Sequence, residues 1–280
     1  MAVILGLAAA MAYGAADFLG GLTSRRNSVI SVVLISQTLG FLLLLAALPL
    51  LVNGPLDAPT VWWGIACGLV GSAGICLLYL GLARGRMSVV GPVAAVETAC
   101  LPLIWGLVSG ERPGPVALAG VGVAVVAIAL VSAARDPAAA VGERRRSGLP
   151  EALGSGFSIG LYLILLDQTP ADSGAWPLAV ARVASLTVFG VAALIVRSRI
   201  RPTPGTAAAI VAAGTLDVTA NVLYLVGSRA GLLTIVAVLT SLYPAATILL
   251  ARTVLKERLS GLQIVGLGLA VGGVVLITLG

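Results

Sequence analysis

Uninterrupted apolar blocks of about twenty residues, repeated from one end of this chain to the other, leave it few folds to choose from. At 1.5 Å per helical residue, each block can cross roughly 30 Å of hydrocarbon. The apolar residues neither alternate nor form stripes against polar faces, so the blocks read as spans and not as strands or surface helices. Hydrocarbon offers the backbone no hydrogen bonds, and only helices or closed barrels satisfy it there. A barrel needs alternation with period two, which is missing. Composition agrees: 59% of the 280 residues are hydrophobic and 10% charged, against roughly a quarter charged in soluble domains. The expected fold is all-α, a polytopic membrane protein.

Spans are expected near residues 2–20, 29–52, 60–82, 87–108, 115–134, 149–168, 174–197, 205–227, 231–252 and 261–280. Turn chemistry separates them, as at Asn53-Gly54-Pro55, Arg112-Pro113-Gly114-Pro115 and Arg201-Pro202-Thr203-Pro204-Gly205. The first block starts at Met1 without a basic leader, so it is expected to be a retained span. One stretch resembles a linker, with Ala-rich sequence and the run Glu143-Arg144-Arg145-Arg146. It divides the chain into an expected first repeat (1–134), a cytoplasmic linker (135–148) and a second repeat (149–280), each repeat with five spans.

The halves match colinearly. Leu78-Tyr79-Leu80 corresponds to Leu223-Tyr224-Leu225 and Gln37 to Arg182. One position further out of step, Glu111-Arg112 corresponds to Glu257-Arg258 and Gly120-Val121-Gly122 to Gly266-Leu267-Gly268. An odd number of spans per repeat makes the second copy enter the membrane from the opposite side, so the repeats are inverted. Charge tests this. The odd-numbered loops carry Arg25 and Arg26; Arg84 and Arg86; Arg135 and Arg144 to Arg146; Arg197, Arg199 and Arg201; and Arg252, Lys256 and Arg258. The even-numbered loops carry Arg112 and Arg229. The positive-inside rule places the odd loops in the cytoplasm and both termini outside an inner or plasma membrane.

The run Leu239-Thr240-Ser241-Leu242-Tyr243-Pro244, followed by Lys256-Glu257-Arg258-Leu259, resembles the second-half signature of the drug/metabolite transporter superfamily, in its EamA-like ten-helix branch. A weaker first-half copy ends at Gly110-Glu111-Arg112, and departs from the pattern where Glu97-Thr98 stands in place of Tyr243-Pro244. The resemblance covers nearly the whole chain. It implies export of metabolites, amino acids or toxic compounds, often driven by protons.

A charge at mid-span costs about 2.5–3.5 kcal/mol on insertion scales, so each one needs a reason. The candidates are Asp17, Glu97, Arg182 and Asp217. Asn221 and Tyr224 continue a polar stripe from Asp217, Tyr13 precedes Asp17 by one turn, and Ser185 follows Arg182 on its face. Either these groups are buried ionic glue, with Arg182 paired to Asp217 or Glu97, or they line a cavity where an acid exchanges a proton for substrate. Tyr79, Tyr162, Tyr224 and Tyr243 lie inside spans, as pocket walls or as packing with an incidental hydrogen bond. Pro244 frees a carbonyl beside Tyr243. Glu97, lying between Pro92 and Pro102, marks a candidate hinge. Gly64-x3-Gly68 and Gly268-x3-Gly272 fit close helix packing, within the chain or across a dimer. Trp62 and Trp63 suit the interfacial belt.

No histidine, Gly-x-Ser-x-Gly elbow or Walker loop is present, and Cys67, Cys76 and Cys100 are scattered. No enzyme activity, cofactor, metal or nucleic acid is expected. The expected function is secondary active transport, by alternating access, of a small polar metabolite such as an amino acid or related zwitterion, with protons as the coupling ion. Alternatives are a cationic drug or amine exporter and, in another class, a lipid-modifying membrane enzyme or a channel. The expected partners are the solute, the bilayer and protons, and the chain is expected as a monomer or homodimer.

Overall fold

The computed structural model describes the backbone over residues 1–51, 54–84, 87–132, 148–198, 200–254 and 261–279. Among these residues the chain is helical without strands: α1 (Ala2–Ser24), α2 (Val29–Leu51), α3 (Ala58–Arg84), α4 (Met87–Val108), α5 (Pro115–Ser132), α6 (Leu149–Asp167), α7 (Trp176–Ile195), α8 (Ala207–Arg229), α9 (Leu233–Thr240), α10 (Tyr243–Val254) and α11 (Gly261–Leu279). The linker up to residue 147, together with Arg86, Arg199, Lys256, Glu257 and Arg258, lies outside the described residues. By length and composition α1, α2, α3, α6, α7 and α8 each contain a full crossing, and shorter apolar helical stretches occupy 115–130, 233–247 and 264–273. The fold is that of a polytopic helical membrane protein.

The ninth expected span is present but interrupted. The span expected near 231–252 is two half-helices, α9 and α10, separated at Ser241-Leu242. A proline has no N–H to give to the carbonyl four residues back, so at Pro244 a continuous helix loses a rung of its ladder. The turn is closed instead by Ser241 N–H donating to Ala237 O (2.9 Å) and Leu242 N–H to Leu239 O (3.2 Å). In contrast, α4 runs unbroken past Pro102.

Packing follows a twofold pattern once α6, α7, α8, α9–α10 and α11 are set against α1 to α5. Helix α1 packs on α8 while α3 packs on α6; α2 meets α8 while α3 meets α7; α4 meets α6 while α1 meets α9 and α10. The fifth helices, α5 and α11, pack on each other. The main contacts between the halves thus come in mirrored pairs, as two inverted five-helix repeats require.

The loops sort by parity as well. Between α1 and α2, Asn27 accepts the Thr203 N–H (2.8 Å) and donates to Thr206 Oγ1 (3.3 Å), both in the α7–α8 connection. At the other end, Trp176 Nε1 donates to Gly54 O (3.2 Å), which ties the α2–α3 loop to the start of α7. There too Arg229 clamps the α6–α7 loop through Gly174 O (2.8 Å), Pro170 O (3.0 Å) and Thr169 Oγ1 (3.1 Å).

Close approach depends on missing side chains. A Cβ at Gly64 would lie 2.6 Å from Val180 Cβ, and one at Gly68 equally close to Ala184 Cβ, so this glycine pair seats α3 on α7. Among the described residues a Cβ at Gly268 or Gly272 would meet nothing within 4 Å, and α11 reaches α5 through Gly273 instead. Trp62, at the start of α3, is 71% exposed, as an interfacial residue would be.

Candidate functional site

Helices α1, α2, α3, α4, α6, α7, α8 and α9–α10 surround a cavity of about 120 Å³, well above the ~15 Å³ that one water needs. Its wall divides into three parts.

The first is an ionic chain across α6, α7 and α8. Arg182 on α7 is hydrogen-bonded and ion-paired to Asp217 on α8, their side chains 11% and 23% exposed. One turn on, Asn221 Nδ2 donates to Asp217 O (2.7 Å), and its Oδ1 accepts the Tyr162 hydroxyl from α6. Ser72 Oγ on α3 lies 2.8 Å from Ser185 Oγ, next to Arg182 on α7. Low dielectric makes such a pair strong once formed and costly when broken.

The second part is Asp17. It lines the cavity from α1, one turn after Tyr13, and among the described residues no cation pairs with it. With Arg182 neutralised by Asp217, Asp17 is the carboxyl in the wall that has no counter-charge among the described residues.

The third part is the break between the half-helices, where Thr240, Ser241 and Tyr243 line the cavity. Ser241 Oγ and Tyr243 OH are buried with no partner among the described residues, and so are Tyr13 OH and Gln37 Oε1, which line the same space. Polar atoms left this way cost about 1–3 kcal/mol each unless water or a solute engages them. Apolar wall is supplied by Ile75, Leu78, Ile159, Leu163 and Leu178.

Of the residues expected at the site, Asp17, Arg182, Asp217, Asn221 and Tyr243 come together here. Glu97, Tyr79 and Tyr224 do not form part of the lining. Glu97 sits in the seam between α4 and α6, where a Cβ at Gly156 would come within 2.8 Å of its Oε2, an atom buried with no partner among the described residues. Its neighbour Thr98 reaches the cavity instead. The Tyr79 phenol lies against Gly20 of α1. Tyr224 is fully buried and donates to Leu163 O (3.2 Å), which makes it a structural tie between α8 and α6. Gln37, Ser72 and Ser241 join the wall without having been expected there. The repeat held a signal for two of them: the offset that sets Gln37 opposite Arg182 also sets Ser72 opposite Asp217.

A membrane fold of two mirrored five-helix bundles around a polar cavity is a carrier architecture. The model of the EamA-like transporter family matches residues 1–133 and again residues 146–279. The chain belongs to that family and is thereby a multi-pass membrane transporter of the drug/metabolite transporter superfamily. Among solved structures 29 chains match. One of them, described as "Crystal structure of protein", aligns with a TM-score of 0.77 at 20% identity, over 99% of this chain and 96% of its own, a likeness of fold. No curated protein matches.

Proposed function

We propose that this chain is a secondary active transporter of a small metabolite carrying an ammonium group. Residues 1–134 and 149–280 act as the two repeats that move about the central cavity, and Asp17 binds the cationic end of the solute. The observation that carries this reading is an acid without a counter-charge in a wall where the one described arginine is already paired. A charge held in hydrocarbon is stabilised most by an opposite charge brought to it, so the solute supplies what the wall lacks. Ammonium and proton compete for the same carboxyl, which couples the solute's release to proton uptake in one alternating-access cycle. The apolar flank and limited volume suit a metabolite the size of an amino acid. The Arg182–Asp217 pairing also favours a second reading, an exporter of simple amines, because it withdraws the arginine from any solute carboxylate.

Flux into liposomes tests the proposal. Purified protein is expected to give saturable uptake of labelled neutral amino acids or amines that is accelerated by unlabelled solute inside, and Asp17→Asn is expected to reduce that uptake at least tenfold. A conductance without countertransport, or full uptake by the Asp17→Asn protein, would remove the carrier reading or Asp17 from it.

A further inference from the structure

We infer that the start of α10 is a carboxylate subsite, so that the solute is a zwitterion held by its ammonium at Asp17 and by its carboxylate at Ser241 and Tyr243. This inference rests on the carrier reading above and names the chemistry of the other half of the same site.

Three observations lead there. First, the chain breaks inside the cavity wall, so a helix of 12 residues begins at Tyr243 with its N-terminal end turned to the solute space. A helix start carries partial positive charge, and here the end of α9 offsets part of it. Pro244 has no N–H and Ala245 N–H is held by Leu242 O (2.9 Å), so the side-chain hydroxyls carry the contact. Secondly, the residues at that start have hydrogen-bonding groups without a partner. Ser241 is 0% exposed, lines the cavity, and its Oγ finds no partner among the described residues; the Tyr243 hydroxyl is in the same position. Both hydroxyls can donate, and a carboxylate accepts from two donors at once. Thirdly, the wall's arginine is engaged: Arg182 holds Asp217, so a solute carboxylate entering there would first have to break a buried ion pair.

Along the helix axes, the spacing of the two subsites admits an amino acid. Helix α1 runs alongside α9 and α10, with Gly6 against Val236 and Leu239, and Gly14 against Ala246. Thr247 Oγ1 donates to Gly14 O (3.0 Å) and fixes that register. Extrapolated along α1, Asp17 lies about seven residues beyond the level of Ser241, roughly 10 Å of helical rise, and three beyond Gly14, which faces the Tyr243 backbone, roughly 5 Å. The ammonium and carboxylate of an amino acid, about 3 Å apart with a hydrogen bond of ~2.8 Å at either end, span about 9 Å. A simple amine fills the Asp17 side and leaves the other hydroxyls unpaired.

Matched probes decide the point. Leucine, 3-methylbutylamine and 4-methylpentanoate share one side chain and differ only in their charged groups, as do phenylalanine, phenethylamine and 3-phenylpropanoate. Binding is measured by titration calorimetry on the full chain in nanodiscs, alongside uptake of the same compounds. An amino acid is expected to bind about tenfold tighter than its amine. Ser241→Ala is expected to erase most of that advantage while changing amine affinity far less and without lowering the melting temperature, with Tyr243→Phe acting in the same direction. Asp17→Asn is expected to weaken both. If the amine binds as tightly as the amino acid and Ser241→Ala changes neither, the carboxylate subsite is wrong while the carrier reading stands. If no probe binds and none is transported, both fail together.

Discussion

Arg182 and Asp217 pose a problem that is local to two side chains. Each alone is a charge that hydrocarbon will not accept; together, with Asn221 donating to the Asp217 carbonyl, they form a neutral unit that can stay buried. The pair is therefore expected to be strongly coupled. Arg182→Met should destabilise the protein by about 3 kcal/mol, because it leaves an unpaired carboxylate in place. The double variant Arg182→Met/Asp217→Leu should lose much less than the sum of the two single changes, since removing both charges removes the desolvation cost along with the attraction. Melting of the four proteins in mild detergent measures this. Additive losses would mean that the two groups are solvated independently, against the geometry. A related measurement separates structure from transport: a double variant that melts normally and still fails to carry solute assigns the pair a part in the cycle as well as in the fold.

Half-helices in a membrane need partners at their ends, and α9 shows how one is provided. Its first N–H groups, from Leu233 and Thr234, donate to the two carboxylate oxygens of Glu111 at 2.7 and 3.0 Å. The acid comes from the loop after α4, and Gly106 leaves room for it, since a Cβ there would lie 2.6 Å from Glu111 Oε2. One carboxylate thus satisfies two end groups and faces the positive end of the helix. Glu111→Ala is expected to cost about 2 kcal/mol and to speed hydrogen exchange across Leu233–Thr240, and Glu111→Gln to cost roughly half as much. Unchanged exchange in that helix would show that the cap is incidental. Much of this scale was legible in the sequence. Long apolar blocks announce helices because lipid allows little else, and five spans per half announce inversion. The break in the ninth span was less legible. Pro244 predicts a freed carbonyl, but whether a helix bends over a proline or stops and restarts depends on what fills the gap, here α1 packed along both halves. The site divides in the same way. Asp17, Arg182 and Asp217 stand out because charge in lipid is costly, whereas Gln37, Ser72 and Ser241 are neutral, cheap to bury and visible as wall only once helices from both halves meet. Glu97 has the same sequence signature as Asp17 but faces α6, because a span's charge pattern does not say which way it is rotated.

At the scale of the whole molecule, the twofold arrangement makes a statement about the membrane that contacts alone can only half supply. The α1–α2 loop touches the α7–α8 loop, and the α4–α5 loop touches the start of α9, so the chain has an odd-loop end and an even-loop end. Exposed Arg25, Arg26, Arg197 and Arg201 gather at the first. The second has Arg112, which is exposed, and Arg229, which is occupied with the α6–α7 loop. Basic loops are retained on the cytoplasmic side during insertion, so the odd-loop end is expected to face the cytoplasm and both termini the outside. The test leaves every arginine in place. In a background with Cys67, Cys76 and Cys100 replaced, single cysteines at Ser28 or Pro204 should resist a membrane-impermeant maleimide in intact cells and react once the cells are opened. Single cysteines at Leu56 or Ser109 should react in intact cells. Uniform reversal of the four would leave the architecture standing and overturn only the orientation. Labelling of Ser28→Cys and Pro204→Cys from opposite sides would be more serious, because two loops joined by hydrogen bonds cannot lie on opposite faces of a bilayer. In that case the repeats would not be inverted, and the cavity between them would lose the symmetry that lets one set of contacts open to each side in turn.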